Sequence, residues 1–104
     1  MTDIAQFRRT LVERILEGGG WAAPAERRAA FADRGLEEPV STLAHKVAQR
    51  SRSVTDADVA AVRAAGYDED RIFELVVCAA VGQAVRVHDR ALVALTAAAA
   101  FAEK

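Results

Sequence analysis

The sequence has few of the residues that interrupt helices or cross-link chains. Its 104 residues include two prolines, six glycines and a single cysteine. One cysteine excludes an intramolecular disulfide, and its isolation is typical of a reducing compartment. Scarce proline and glycine, together with abundant alanine, favour helices over strands and loops. These absences lead us to expect an all-α chain.

An excess of charge of either sign is also missing. The chain carries 14 basic and 15 acidic residues, for a net charge of -1. This balance gives no electrostatic signature of nucleic acid or of an anionic membrane as a partner. The most apolar stretch, from Leu75 to Val85, is shorter than the about 20 residues that span a bilayer. Early charges within Met1 to Arg9 do not fit a signal peptide, so we expect a cytoplasmic location.

The composition and the spacing of apolar residues predict one helical domain over residues 1–104. Apolar residues make up 52% of the chain and charged residues 28%, which is typical of globular proteins. Helical periodicity predicts a small bundle of five to six helices. The predicted helices begin at Thr2 or Asp3, Pro24, Pro39, Thr55 and Asp68, and the first four end near Gly18, Gly35, Arg50 and Gly66.

The last helical segment leaves two alternatives open. Its pattern continues to Phe101 without proline, so the segment forms either one long helix from Asp68 or two helices with a break between Val87 and Arg90. It is apolar almost all round from Leu75 to Val81, which indicates a helix central in the fold or buried at a subunit interface. The Ala-rich end, Ala97 to Ala100, favours close helix packing.

Several local features of the sequence predict specific contacts. The Thr55 hydroxyl is expected to accept from the backbone amide near Asp58, and Asp68 is expected to cap the last helix. Gly35 is the predicted cap at the end of the second helix. Trp21 is predicted to anchor the core or an interface.

Two patterns stand in residues 54–92. The run from Thr55 to Gly66 matches T-x-x-D/E-V-x-x-L/V-R-x-x-G, and the segment from Glu69 to Glu74 matches E/D-x-x-I-x-E. With these patterns the segment resembles the alkylhydroperoxidase D / carboxymuconolactone decarboxylase family. A long apolar helix follows and carries basic residues near its end, as in that family. The resemblance implies an alkylhydroperoxidase D-like helical bundle.

Compared with the peroxidases of that family, this chain lacks a pair of cysteines. Peroxidases of the family carry E-x-x-C-x-x-C-x-x-x-H before the shared core. With His45 at the histidine position, Ser41 and Glu38 occupy the cysteine positions and Gly35 the glutamate position. Peroxide reduction by this route needs a thiolate and a resolving thiol. Serine supplies neither, so the sequence argues against CxxC-dependent peroxidase activity.

Two groups of residues are candidates for a functional site. His45 is a candidate general base, and Glu38, two helical turns before it, is a candidate carboxylate that is nearly in line but far for direct contact. Arg86, His88 and Arg90 form a charged group that could bind an anion, and they could equally be surface charge or an intersubunit ion-pair cluster. Cys78 is expected to be a buried, inert thiol. No metal site and no cofactor motif are evident.

Three functions follow from these observations. The first is a non-peroxidase family member that acts as a homo-oligomeric assembly or interaction module. The second is a diverged decarboxylase or isomerase that uses His45 on a small carboxylate. The third is an accessory subunit of a separately encoded catalytic partner protein.

Overall fold

Five α-helices make up most of the computed structural model, which describes residues 3–102. They are α1 (Asp3–Glu17), α2 (Pro24–Ala32), α3 (Val40–Gln49), α4 (Asp56–Ala64) and α5 (Glu69–Ala102), with a 3₁₀ turn at Ser51–Ser53. No strand occurs among the described residues. The all-α architecture predicted from composition and periodicity is confirmed. Thr2, one of the two predicted caps of α1, lies outside the described residues.

The last segment is one continuous helix, which settles the alternative between a long helix and a break near Val87. α5 has 34 residues and is therefore about 51 Å long. Its first part lies in the middle of the bundle, where α1, α2, α3 and α4 all contact it. Its buried residues are Ile72, Leu75, Cys78, Ala79 and Gly82.

The core is built mainly from small and medium apolar side chains. Val62 and Cys78 are the largest side chains that are fully buried. Ala30, Val40 and Leu43 complete the contact between α2, α3 and α5. Small side chains let these helices approach one another closely, as the alanine content of the sequence indicates.

Two of the predicted helix caps are confirmed. The Thr55 hydroxyl accepts from the Asp58 amide, and the Asp58 carboxylate accepts from the Thr55 amide, forming a capping box at the start of α4. The Asp68 carboxylate accepts from the Arg71 amide at 2.9 Å, before α5 begins. Each bond satisfies a backbone amide that the helix leaves without a partner.

The predicted end of α2 is wrong. The helix ends at Ala32, and Asp33 rather than Gly35 adopts the left-handed conformation at its C-terminus, with φ 57°. Aspartate tolerates this conformation better than most residues do. Gly35 also has a positive φ, but it lies beyond the cap.

α2 and α5 cross in close contact at Gly82. A Cβ atom added at Gly82 would lie 2.0 Å from the Phe31 carbonyl oxygen, so only glycine fits at this point. One turn later the Arg86 guanidinium donates to the same oxygen at 2.5 Å. A cation at the C-terminal end of α2 is favourable, because the unpaired carbonyls there carry partial negative charge.

The loop between α1 and α2 is held by Glu74 and Arg27. The Glu74 carboxylate accepts from the backbone amides of Trp21 and Ala22 at 2.7–2.8 Å. Arg27 is buried and donates to the carbonyls of Ala22 and Ile15. The Trp21 side chain itself is exposed, so it is not a core anchor; its alternative role at an interface stays a prediction.

α5 has two parts with different surroundings. We call residues 69–86 the bundle half and residues 87–102 the projecting half. Every residue of the projecting half is exposed, and the long axis of the molecule reaches 57 Å. Among the described helices, none combines the length and the apolar character that a membrane crossing requires.

Candidate functional site

His45 pairs with a carboxylate that sequence reasoning did not identify. Its Nδ1 lies 2.9 Å from Oδ2 of Asp33, at the left-handed C-terminus of α2. A carboxylate can only accept, so the Nδ1–H of His45 donates. Asp33 is largely buried, whereas the His45 side chain is 55% exposed. The pair therefore lies at the surface, with the carboxylate beneath the imidazole.

The pair continues into a chain of polar side chains across α2, α3 and α5. The Gln49 side chain donates to the Asp33 carboxylate at 3.4 Å and to the side-chain oxygen Oε1 of Gln83 at 3.1 Å. Arg86 donates to the same Gln83 oxygen from Nε and Nη2. The resulting order is His45, Asp33, Gln49, Gln83 and Arg86. These bonds tie the ends of α2 and α3 to the middle of α5.

Glu38, the carboxylate that the sequence places two helical turns before His45, is engaged elsewhere. It accepts from the Thr42 amide at 3.0 Å and from the Thr42 hydroxyl at 2.6 Å, which satisfies the first turn of α3. Asp33 occupies the position that orients His45. No sequence signal points to Asp33, because its approach depends on how α2 packs against α3.

Arg86 and His88 do not share one cluster, contrary to the prediction. Arg86 points towards α2, where it contacts Phe31 and Gln83. His88 lies on another side of α5, with its Nδ1 3.1 Å from the Arg8 guanidinium, and Arg8 also pairs with Asp89 at 2.9 Å. Residues two apart on a helix point in widely different directions, which separates the two side chains. Arg90 is exposed and lines a surface hollow with Asp89, Val93 and Ala94.

Cys78 is buried, as predicted. Burial raises the pKa of its thiol to about 11, so the side chain stays a thiol at neutral pH. Its Sγ lies 3.9 Å from the Ile15 carbonyl oxygen. A cavity of about 200 Å³ adjoins it, lined in part by Arg14, Arg27 and Glu74. Arg27 works against the rise of the thiol pKa, but less strongly than burial raises it.

A large surface hollow lies away from His45. It has a volume of about 440 Å³ and runs between α1 and α5, lined by Ala5, Arg8, Arg9, Val12, Glu13, Phe31 and Val85. The polar chain that begins at His45 contributes no side chain to this hollow. Within residues 3–102, no three His, Cys, Asp or Glu side chains come close enough together to hold a metal ion.

Large apolar side chains are exposed on α1 and on the projecting half of α5, where no described helix covers them. On α1 the helical stripe Ile4, Phe7 and Leu11 faces solvent. The projecting half of α5 exposes the large side chains Val87, Leu92, Val93, Leu95 and Phe101. From Ala91 to Ala102 this helix contains no charged residue.

No protein-family model, curated protein or solved structure matches the chain. The function must therefore be argued from the geometry.

Proposed function

We propose that the chain is a non-peroxidase member of the alkylhydroperoxidase D / carboxymuconolactone decarboxylase-like family that acts as a homo-oligomeric assembly module. The exposed apolar surface of α5, including its projecting half, forms its interface. The bundle half supplies a rigid body from which the interface extends.

The observation that carries this proposal is the projecting half. A helix that is apolar on all sides is normally buried, because water contact with apolar surface is unfavourable. Here the uncharged stretch from Ala91 to Ala102 is exposed throughout, and Phe101 is 81% exposed. Extended apolar surface of this kind marks an interaction site.

A second copy of the chain is the partner that this surface fits best. A surface without charges offers no pattern by which to select a charged partner, and electrostatic complementarity is a main source of specificity between different proteins. Two identical apolar helices need no such pattern. Most soluble oligomers are built from identical chains, and a two-fold interface uses the same surface patch on both copies.

One observation supports the resemblance to this family, and two support the absence of peroxidase activity. The helix start at Thr55 has the capping box, and α5 starts after the Asp68 cap, in the positions that the family pattern assigns to helix starts. Ser41 and Glu38 stand at the positions of the two family cysteines. The one cysteine, Cys78, is buried among core residues.

The test is the mass of the protein in solution. At micromolar concentration, size-exclusion chromatography with light scattering should give at least twice the 11.1 kDa of one chain. The double variant Ala91→Glu/Ala94→Glu should give the single-chain mass, because two charges would then lie in the interface. Glutamate is a good helix former, so α5 should persist. The control Ala60→Glu/Ala61→Glu, on the exposed side of α4, should keep the mass of the oligomer.

A monomer for the unmodified chain would end the assembly proposal. Equal masses for the two double variants would show that the projecting half is not the interface. Flotation of the unmodified protein with neutral phospholipid vesicles, without self-association, would assign the apolar surface to lipid and would equally contradict it.

The second candidate is an enzyme acting on a small carboxylate, and the pairing of His45 with Asp33 favours it. A carboxylate behind an imidazole is the arrangement that orients a general base. A lactone or muconate-like acid should then raise the melting temperature, and His45→Gln should abolish both that shift and turnover. Asp33→Asn should retain binding but lower turnover. No melting shift with any acid of the panel would remove this candidate.

A further inference from the structure

The solvent face of α5 carries a coiled-coil repeat along its whole length. Starting at Phe73 and alternating steps of four and three residues, every position up to Phe101 is apolar. We call this set the outer seam. Phe73, Val77, Val87 and Phe101 are its large members, and alanine fills the rest: Ala80, Ala84, Ala91, Ala94 and Ala98. Such a spacing keeps one face of a helix against a partner helix.

The outer seam is free in both halves of α5. All of its residues are exposed except Val77, which is half-buried. None of the buried residues of α5 belongs to it, because those residues lie on the opposite side of the helix and face α2 and α3. The bundle is therefore complete without the seam, and the seam extends about 42 Å along the surface.

We infer that two copies of the chain pair antiparallel along this outer seam; the inference rests on the proposed self-association. In antiparallel coiled coils, the two seam positions of the repeat face each other across the interface. The pairs are then Phe73 with Ala98, Val77 with Ala94, Ala80 with Ala91, and Ala84 with Val87 of the second copy. Every large side chain in these four pairs meets an alanine, and the ninth seam residue, Phe101, lies beyond the paired stretch.

Parallel pairing lacks this complementarity. With the copies in register, each seam residue meets its own equivalent, so Phe73 meets Phe73 and Ala80 meets Ala80. The distance between helix axes depends on the side chains in contact, over about 8–10 Å. A parallel pair would need different distances at successive layers. Antiparallel pairing keeps the volume of each layer more uniform and lets both helices stay evenly spaced.

The area of the seam lies near the lower limit for a specific dimer. A strip about 42 Å long and 10 Å wide on each copy has a flat area of about 800 Å² for the two. The accessible surface of a ridged helix exceeds this projection, and a specific interface is expected to bury about 1,000 Å² or more. The projecting half of each copy would lie along the bundle half of the other.

Introduced cysteines can test the orientation. The antiparallel register places Ala80 beside Ala91 of the second copy and holds the two Ala80 residues about 16 Å apart. A disulfide needs Cα atoms within about 7 Å. Oxidation of an equimolar mixture of Ala80→Cys and Ala91→Cys chains should therefore give a covalent dimer. Each variant alone should give less than about a tenth of that yield.

Two further proteins serve as controls. The unmodified chain, treated in the same way, should stay unlinked because Cys78 is buried. The variants Ala91→Glu and Ala100→Glu separate the two faces of the projecting half. Ala91 lies in the seam and Ala100 does not, although both are exposed alanines on one helix. Ala91→Glu should weaken self-association at least tenfold in Kd, and Ala100→Glu less than threefold.

The possible failures are distinguishable. A disulfide in the Ala80→Cys variant alone would establish a parallel pair and overturn the inference, while the assembly proposal stands. A dimer by light scattering that forms neither disulfide would place the interface elsewhere, with the same consequence. A monomer in every sample would contradict both the inference and the assembly proposal.

Discussion

The two halves of α5 have the same helical geometry and similar apolar content, but only one of them has neighbours. In the bundle half, α2 and α3 cover a face that includes Leu75 and Gly82. In the projecting half, Arg8 of α1 contacts His88 and Asp89. The apolar residues of this half are exposed to water. Helices α1 to α4 are too short to cover a helix of 34 residues. The difference teaches that the apolar character of a helix does not tell which part serves the fold and which part serves assembly.

Leucine to alanine substitutions in the two halves make the sharpest test of this difference. Leu75 is 3% exposed and Leu95 is 67% exposed. In the Ala91→Glu/Ala94→Glu background, which is expected to be a single chain in solution, Leu75→Ala should lower the free energy of unfolding by about 3 kcal/mol. Leu95→Ala should change it by less than about 0.5 kcal/mol. Urea unfolding followed by circular dichroism measures both. Equal losses would mean that the projecting half contributes to the fold of the single chain.

The close crossing at Gly82 should be nearly as sensitive. Gly82→Ala forces α5 away from the Phe31 carbonyl, since the added Cβ would lie 2.0 Å from that oxygen. We expect a loss of about 2–3 kcal/mol in the free energy of unfolding, the cost of overpacking a core. Gly19→Ala is the control, because no atom lies within 4 Å of its added Cβ. A loss of similar size at Gly19 would show that chain flexibility rather than the crossing is responsible.

Two neighbouring arginines on α2 allow a buried contact to be compared with a surface contact. Arg27 is 4% exposed and donates to two backbone carbonyls. Arg27→Met should lower the free energy of unfolding by about 2 kcal/mol, because it leaves buried acceptors without partners. Arg28 pairs with Glu17 in water, so Arg28→Met should cost no more than about 0.5 kcal/mol. Chemical unfolding of the two variants compares them, and the reverse order would contradict the assignment.

Lowering the pH should destabilise the bundle by protonating two carboxylates, those of Glu26 and Asp58. Burial tends to raise the pKa of Glu26, but hydrogen bonds from Tyr67 and Arg71 outweigh it and hold the pKa below the ordinary 4.5. The pKa of Asp58 is also lowered, first by the Thr55 amide and then by Lys46. A lowered pKa in the folded state gives stability that is present above the ordinary value and lost as pH falls through the folded value.

The melting temperature should therefore hold steady from pH 7 to about 5 and then fall towards pH 3. Glu26→Gln should melt lower at pH 7 and show a shallower fall, because glutamine does not titrate. Thermal melts at each pH measure this. An unchanged slope in the variant would show that Glu26 makes no contribution to the acid sensitivity.

The candidate site was only partly visible in the sequence. His45 was identified from its spacing, and Cys78 was expected to be buried. Helical periodicity reports only neighbours close along the chain, and the nearest carboxylate in line with His45, that of Glu38, was expected to be far for direct contact. Asp33 lies on another element, 12 residues away along the chain. In the same way, periodicity did not show that Arg86 turns towards α2 while His88 turns towards α1.

The sequence by itself determined the helices and most of their ends. Thr55, Asp68 and Gly66 act on the chain within a few residues, so their effects can be derived from local hydrogen bonding and backbone conformation. Only the tertiary structure decided which faces are covered. The position of Gly82 at a helix crossing, the burial of Arg27 and the exposure of the outer seam depend on contacts between residues far apart in the chain. Apolar spacing shows that a face needs a partner, but the packing of α1 to α4 decides where no partner is left.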